Sequence, residues 1–209
     1  MRLYLVRHGQ SEGNVNSAAG ADCTLTPYGE EQAFLVAQFL AALPITTLYS
    51  SPYRRTITTA RRIAASLKLP LKLLPSAHEH HAVRPPGWIP PSRSALEERY
   101  PDLPIAEDIS EEGWLPLPET AEQVHERMQR LFHWLSSHHS PEDGIVVVSH
   151  ASPIQQLIAA ASGRYTWAQA TTLAIGNASV STLVCDSLSI VLESTGRDDF
   201  LRVEQPALL

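Results

Sequence analysis

The chain has only two cysteines, Cys23 and Cys185, far apart and without metal-ligand spacing or a disulfide framework. That scarcity excludes a small disulfide-stapled fold and a cysteine-ligated zinc module, and it predicts a reducing setting. Positive charge is also short. Sixteen Lys and Arg stand against twenty-two Asp and Glu, a formal charge of −6 with a pI near 5.8. Such a balance excludes general binding to nucleic acid or to anionic membranes, so an anionic ligand has to be attracted locally. Long apolar runs are missing as well. The stretch before Arg7 is too short for the core of a secretory signal, and no segment reaches a membrane span. The expected location is cytoplasmic. There is no internal repeat and no low-complexity tract.

What the chain does have is length and alternation. Its 209 residues suffice for one domain, 1–209, with a sizeable core. Arg2 to Val6 reads as a strand, and the small polar residues from Gln10 to Cys23 read as a loop. Thr26 and Pro27 then open a helix in which Leu35, Phe39 and Leu43 recur at helical spacing, predicting the face that covers a sheet. Residues 46–50 form a short β-type run, Ser51 with Pro52 restarts a helix through Ala65, and residues 71–74 form a third strand. Thr120 and Gln123 make a capping-box pair opening a helix to about His138. The β-branched run 144–150 follows, with Ser152 and Pro153 read as the next cap and helix start, and strand-like runs between Ala178 and Val203 extend the sheet at an edge. Strands alternating with helices at this spacing predict a three-layer α/β/α fold with a mainly parallel central sheet.

Between His78 and Pro118 the alternation breaks. Half of the sixteen prolines fall between Pro85 and Pro118, and only residues 94–100 look helical. Trp88 and Trp114 argue against a disordered linker. The expectation is an ordered insertion, 80–118, over the active-site edge.

Three strands end in chemically similar places. The first ends in Arg7-His8-Gly9, the second in Ser50-Ser51 before a helix carrying Arg54 and Arg55, and the β-branched run in Ser149-His150. In an open parallel sheet the carboxyl ends of the strands line one edge, where ligands bind. Two histidines and one or two arginines converging there suit the receipt of a phosphoryl group. A neutral imidazole is a good nucleophile, and arginines and helix N-termini hold phosphoryl oxygens. Two cations beside His8 also disfavour its protonation.

Arg7-His8-Gly9 followed by Gln10, Ser11, Glu12 and Asn14 resembles the signature of the histidine phosphatase superfamily, in its phosphoglycerate mutase-like branch. Residues 25–33, 50–60 and 147–153 resemble that family's further blocks, in the same order. The resemblance implies that His8 is the nucleophile, that Arg7, Arg55 and His150 bind the phosphoryl oxygens, and that Asn14 contacts the phosphate from the first loop. It implies further that Glu79 is the carboxyl proton donor, and that Ala151, where the family usually has glycine, lies at the phosphate. Arg54 is left as a solvated helix-face residue. A carboxylic acid at Glu79 would protonate the alcohol leaving group and then deprotonate the attacking water.

Histidines 78, 80 and 81 surround Glu79, but adjacent histidines on an extended chain point apart and no carboxylate or cysteine repeats at ligand spacing. No metal and no cofactor is therefore expected, and one of these histidines could instead touch the substrate. His138 and His139 are expected to be solvent-exposed at a helix end. Only about seventy residues separate Glu79 from His150, which resembles the shorter, phosphatase members of the family. The expected activity is hydrolysis of small phosphorylated metabolites, selected by Arg84, Trp88, Arg93 and Trp114 of the insertion. The alternatives are a cofactor-dependent phosphoglycerate mutase and a non-catalytic binder of phosphorylated ligands or proteins. The sequence leaves the oligomeric state open.

Overall fold

The computed structural model describes residues 1–83, 85, 87–105, 109–114, 118–186 and 189–202. Arg84, assigned to substrate selection, and Val203, at the end of the predicted edge strands, lie outside the described residues. In chain order the elements are β1 (Arg2–Arg7), α1 (Glu12–Val15), α2 (Pro27–Ala41), β2 (Thr47–Ser50), α3 (Arg54–Leu67) and β3 (Leu71–Leu73). They continue with α4 (Arg93–Arg99), α5 (Ala121–His138), β4 (Gly144–Ser149), α6 (Ala151–Ser162), α7 (Trp167–Ala170), β5 (Val180–Cys185) and β6 (Ile190–Arg197). Single 3₁₀ turns cover Pro75–Ala77 and Asp199–Leu201.

The six strands form one sheet in the order β3-β2-β4-β1-β5-β6. The first four are mutually parallel, while β5 runs antiparallel to β1 and β6 antiparallel to β5. Alternation along the buried strands divides the core into two layers. Tyr4, Val6, Leu48, Val146 and Val148 face Val36, Leu40, Ile57 and Ile63 of α2 and α3. Leu3, Leu5, Ile145 and Val147 face Val124, Met128, Leu131, Ile154 and Leu157 of α5 and α6. The result is the expected three-layer α/β/α arrangement. Within the insertion, Leu96, Leu103, Ile109 and Trp114 are buried and join the first of these layers.

Several local expectations are corrected. The loop 10–23 contains the one-turn helix α1, where the Asn14 side-chain oxygen accepts from the Ser11 N–H at 2.9 Å. Helix α2 buries Ala33, Val36, Ala37 and Leu40, while Leu35 and Phe39 lie half-buried on its flank and Leu43, also half-buried, falls beyond its end at Ala41. The segment is apolar around most of its circumference, so spacing alone does not single out a face. Helix α3 starts at Arg54 with Tyr53 as its N-cap, and α6 starts at Ala151 with His150 as its N-cap. In neither case does the serine before the proline cap the helix. His139 is not exposed: its side chain is 9% accessible, beside the Asp143 carboxylate and the Tyr49 hydroxyl.

Candidate active site

Strands β1 and β4 pair in register with Arg7 opposite Ser149, so His8 and His150 leave the sheet side by side. The His8 N–H donates to the Ser149 carbonyl at 3.0 Å, continuing the ladder one residue further. The two rings meet edge to face, with centroids 5.2 Å apart. On the other side of β4, the Ser51 N–H donates to the Val148 carbonyl and the Ser51 hydroxyl lies 3.0 Å from His150 Nε2. Both histidines are buried.

Arg55, in the first turn of α3, bridges them. Its Nε donates to His8 Nε2 at 3.2 Å, and its Nη2 donates to His150 Nδ1 at 3.1 Å. A guanidinium has only donors and a carbonyl only accepts, so the partners fix both tautomers. His8 Nδ1 lies 2.7 Å from the Gly9 carbonyl and must carry the proton, which leaves the Nε2 lone pair towards Arg55. His150 Nδ1 is the acceptor, so its proton sits on Nε2 facing Ser51. Burial pushes the His8 pKa well below its ordinary value, and Arg55 and Arg7 push it further. Burial, then Arg55, does the same to His150.

Glu79 arrives from the β3 edge through the turn Pro75–Ala77. Its Oε2 lies 3.6 Å from His150 Nδ1 and 4.0 Å from Arg55 Nη2, and its Oε1 accepts from the His80 N–H at 2.9 Å. Burial raises its pKa above the usual carboxyl range, a shift opposed by Arg55 and Arg7. The side chain keeps 23% accessibility, enough for contact with an entering alcohol or water.

Arg7, at the end of β1, donates through Nη1 to the Ile175 carbonyl at 2.8 Å, while its Nε is buried with no hydrogen-bond partner among the described residues. Arg54 is exposed, as expected. Asn14 is exposed too, and its Oδ1 accepts from Ser11 and from Asn177 Nδ2 at 3.1 Å. Asn177 also donates to the His8 carbonyl, so Asn14 reaches the centre through that residue. Ala151 occupies the first position of α6, directly after His150. The sequence reading missed Ser51, Asn177 and Thr59, whose hydroxyl accepts from the Gly9 N–H at 3.1 Å. Only Ser51 had a usable signal, its place at the end of a strand.

The histidines around Glu79 divide their roles. His78 is buried, and burial lowers its pKa to about 3. His81 Nε2 lies 2.7 Å from the Tyr53 hydroxyl. The Tyr53 ring stacks on Trp88, meets Trp114 edge-on and lies 5.0 Å from the His150 ring. Two of the insertion's expected selecting residues therefore pack beside the site, whereas Arg93 pairs with Glu97 at 2.9 Å on α4. Among the described residues no group of three or more His, Cys, Asp or Glu side chains could hold a metal ion, and no helix is long and apolar enough to cross a membrane.

Two facing buried histidines at the carboxyl edge of a mostly parallel sheet, joined by one arginine and flanked by a carboxyl, form an arrangement chemically able to receive a phosphoryl group. The family profile of the histidine phosphatase superfamily (branch 1) matches residues 3–197, and the chain belongs to that superfamily. Probable phosphoglycerate mutase GpmB of Cronobacter sakazakii is 32% identical over 142 residues, 61% of this chain and 60% of that protein. Human 6-phosphofructo-2-kinase/fructose-2,6-bisphosphatase 1 is 36% identical over 63 residues, 29% of this chain and 13% of that protein. The matched segment thus spans less than two thirds of either curated relative. A mycobacterial glucosyl-3-phosphoglycerate phosphatase solved with inorganic phosphate shares the fold, with a TM-score of 0.71 at 22% identity over 97% of this chain and 99% of that one.

Proposed function

We propose that the protein is a phosphatase that hydrolyses phosphomonoesters of small metabolites through a phosphohistidine on His8. The observation that carries this reading is the single fork of Arg55 on His8 Nε2 and His150 Nδ1, with the Glu79 carboxyl 3.6 Å from the latter. In the first step the His8 Nε2 lone pair attacks phosphorus, the P–O ester bond breaks, and the departing oxygen takes the Glu79 proton. The Nδ1–H bond to the Gly9 carbonyl stabilises the positive charge the ring acquires. Arg55 and the Nε of Arg7 donate to the phosphoryl oxygens, and His150 joins them by shifting its proton from Nε2 to Nδ1, the Ser51 hydroxyl turning to donate to Nε2, with Asn14 and the Ala151 N–H at the rim. In the second step water attacks phosphorus, gives its proton to the Glu79 carboxylate, and the P–N bond breaks to release inorganic phosphate and neutral His8.

No step calls for a metal or a cofactor. The short connection from Glu79 to His150 favours hydrolysis over mutase chemistry, which has to shield the phosphoenzyme from water. The two free cysteines, Cys23 and Cys185, accord with a cytoplasmic setting.

The test is hydrolysis of p-nitrophenyl phosphate with a chelator present, in the wild type and in His8→Ala. The expected result is chelator-resistant turnover and an acid-labile phosphoenzyme, both lost in the variant. Turnover retained by His8→Ala would remove the nucleophile assignment. Isomerisation of 3-phosphoglycerate by a wild type without hydrolytic activity would establish the mutase.

A further inference from the structure

We propose that the buried ion pair of Arg127 and Glu119 positions Glu79 by holding the backbone of residues 76–81. The inference rests on the reading of Glu79 as the proton donor. Among the described residues neither member of the pair has a hydrogen bond or ion pair to His8, His150 or Arg55, and both are buried, at 8% accessibility each.

Glu79 needs such a device because no regular element holds it. It follows the three-residue strand β3 and a single 3₁₀ turn, and the chain then enters the insertion. Arg127 projects from α5 into that segment. Its Nε and Nη2 donate to the two oxygens of Glu119 at 2.9 and 2.8 Å, and its Nη1 donates to the carbonyls of Ser76 and His78 at 2.6 and 3.2 Å. Glu119 completes the clamp with its backbone: its N–H donates to the His81 carbonyl at 3.0 Å, and its own carbonyl accepts from His80 Nε2 at 3.0 Å.

The intervening groups are accounted for as well. The Ser149 hydroxyl donates to the Ala77 carbonyl at 2.7 Å, and His78 Nδ1–H donates to the Glu79 carbonyl at 2.8 Å. The backbone on both sides of Glu79 is thereby tied to α5, to β4 and to the end of the insertion. A planar guanidinium suits this task because it presents fixed donors to a carboxylate and to carbonyls together, and Glu119 neutralises the buried charge. Lysine keeps the charge but not the fork.

The experiment compares Arg127→Lys and Glu119→Gln with Glu79→Gln, using kcat/KM for an alkyl phosphate such as glycerol 2-phosphate and for p-nitrophenyl phosphate. An aryl leaving group needs little protonation, so displacement of the acid lowers the alkyl-to-aryl ratio, by about tenfold or more in each clamp variant. In the Glu79→Gln background, Arg127→Lys is expected to lower the ratio no further. Amide hydrogen exchange across residues 76–81 is expected to quicken in both clamp variants. Glu119→Gln keeps the size of the side chain and serves if Arg127→Lys does not fold.

An alkyl-to-aryl ratio unchanged in both clamp variants, while Glu79→Gln lowers it, overturns the proposal. So does unchanged exchange across 76–81, whatever Glu79 does. If Glu79→Gln leaves the ratio at its wild-type value while exchange quickens in the clamp variants, the acid assignment falls and the clamp on the segment stands.

Discussion

Arg55 donates to His8 Nε2 and to His150 Nδ1 from one guanidinium, at 3.2 and 3.1 Å. On the phosphohistidine reading, the fork covers the His8 lone pair that attacks phosphorus, and an entering phosphoryl group takes over the Arg55 donors. Replacing Arg55 is expected to be costly. Arg55→Lys should lower kcat/KM by about 10²–10³-fold, the range for removing a preorganised donor at a developing charge. Arg55→Ala should also move the acid limb of the pH profile upwards, because Arg55 is the second cause, after burial, of the lowered His8 pKa. An acid limb that stays in place would assign the shift to burial and Arg7.

The pH profile follows from two opposite shifts. The first step needs His8 neutral and Glu79 protonated, and burial lowers the one pKa and raises the other. Activity is therefore expected to rise through the lowered His8 pKa and to decline only above the raised Glu79 pKa. Glu79→Gln should remove that decline and slow alkyl phosphates about 10²–10⁴-fold, with a much smaller loss on p-nitrophenyl phosphate. The second ionisation of the substrate, near a pKa of about 6, is common to both enzymes and cancels in their ratio. Equal losses on the two substrates would give the proton to another group.

Buried neutral histidines tie stability to pH. His78 is lowered to about 3, and burial lowers His8 and His150 in the same direction. Below the ordinary histidine pKa the unfolded chain binds protons that the native state refuses. Stability is therefore fully present above about pH 6.5 and is lost as pH falls towards the folded values, with a slope of up to about 1.4 kcal/mol per pH unit for each such histidine. Urea midpoints between pH 7 and 5 should show this loss, and His78→Asn should make the slope shallower by about one proton. An unchanged slope in that variant would mean that His78 is protonated in the native state.

The turn after His8 crosses the start of α2 at a distance only glycine permits. A Cβ on Gly29 would lie 1.9 Å from the Gln10 carbonyl oxygen, and one on Gly9 would lie 2.4 Å from the Gly29 carbonyl oxygen. Gly29→Ala is expected to destabilise the protein by about 1–3 kcal/mol or more, by forcing the two backbones apart. Because the displaced segment carries His8, activity should fall in the fraction that remains folded. A urea midpoint equal to that of the wild type would show that the crossing is looser than this.

Much of the candidate site's arrangement was legible in the chain. Periodicity located β1 and β4, and a histidine directly after each, with an arginine block after β2, is information carried within a few consecutive residues. The parallel pairing of neighbouring strands then brings those ends together without long-range guesswork. The antiparallel β5 and β6 were legible only as an edge extension. The capping residues of α3 and α6 were misread because Ser51 is engaged with His150 and Ser152 already lies inside its helix, and a serine-proline pair looks the same in either place.

The alternation of strands and helices and the residue types at the strand ends could be read from the chain, since both depend on local spacing and composition. Tertiary structure alone decided the tautomers of His8 and His150, the raised pKa of Glu79, and the clamp of Arg127 and Glu119 on its backbone. Each of these is a property of groups from distant parts of the chain meeting out of water. Hydrogen-bond partners and desolvation exist only once that meeting has occurred.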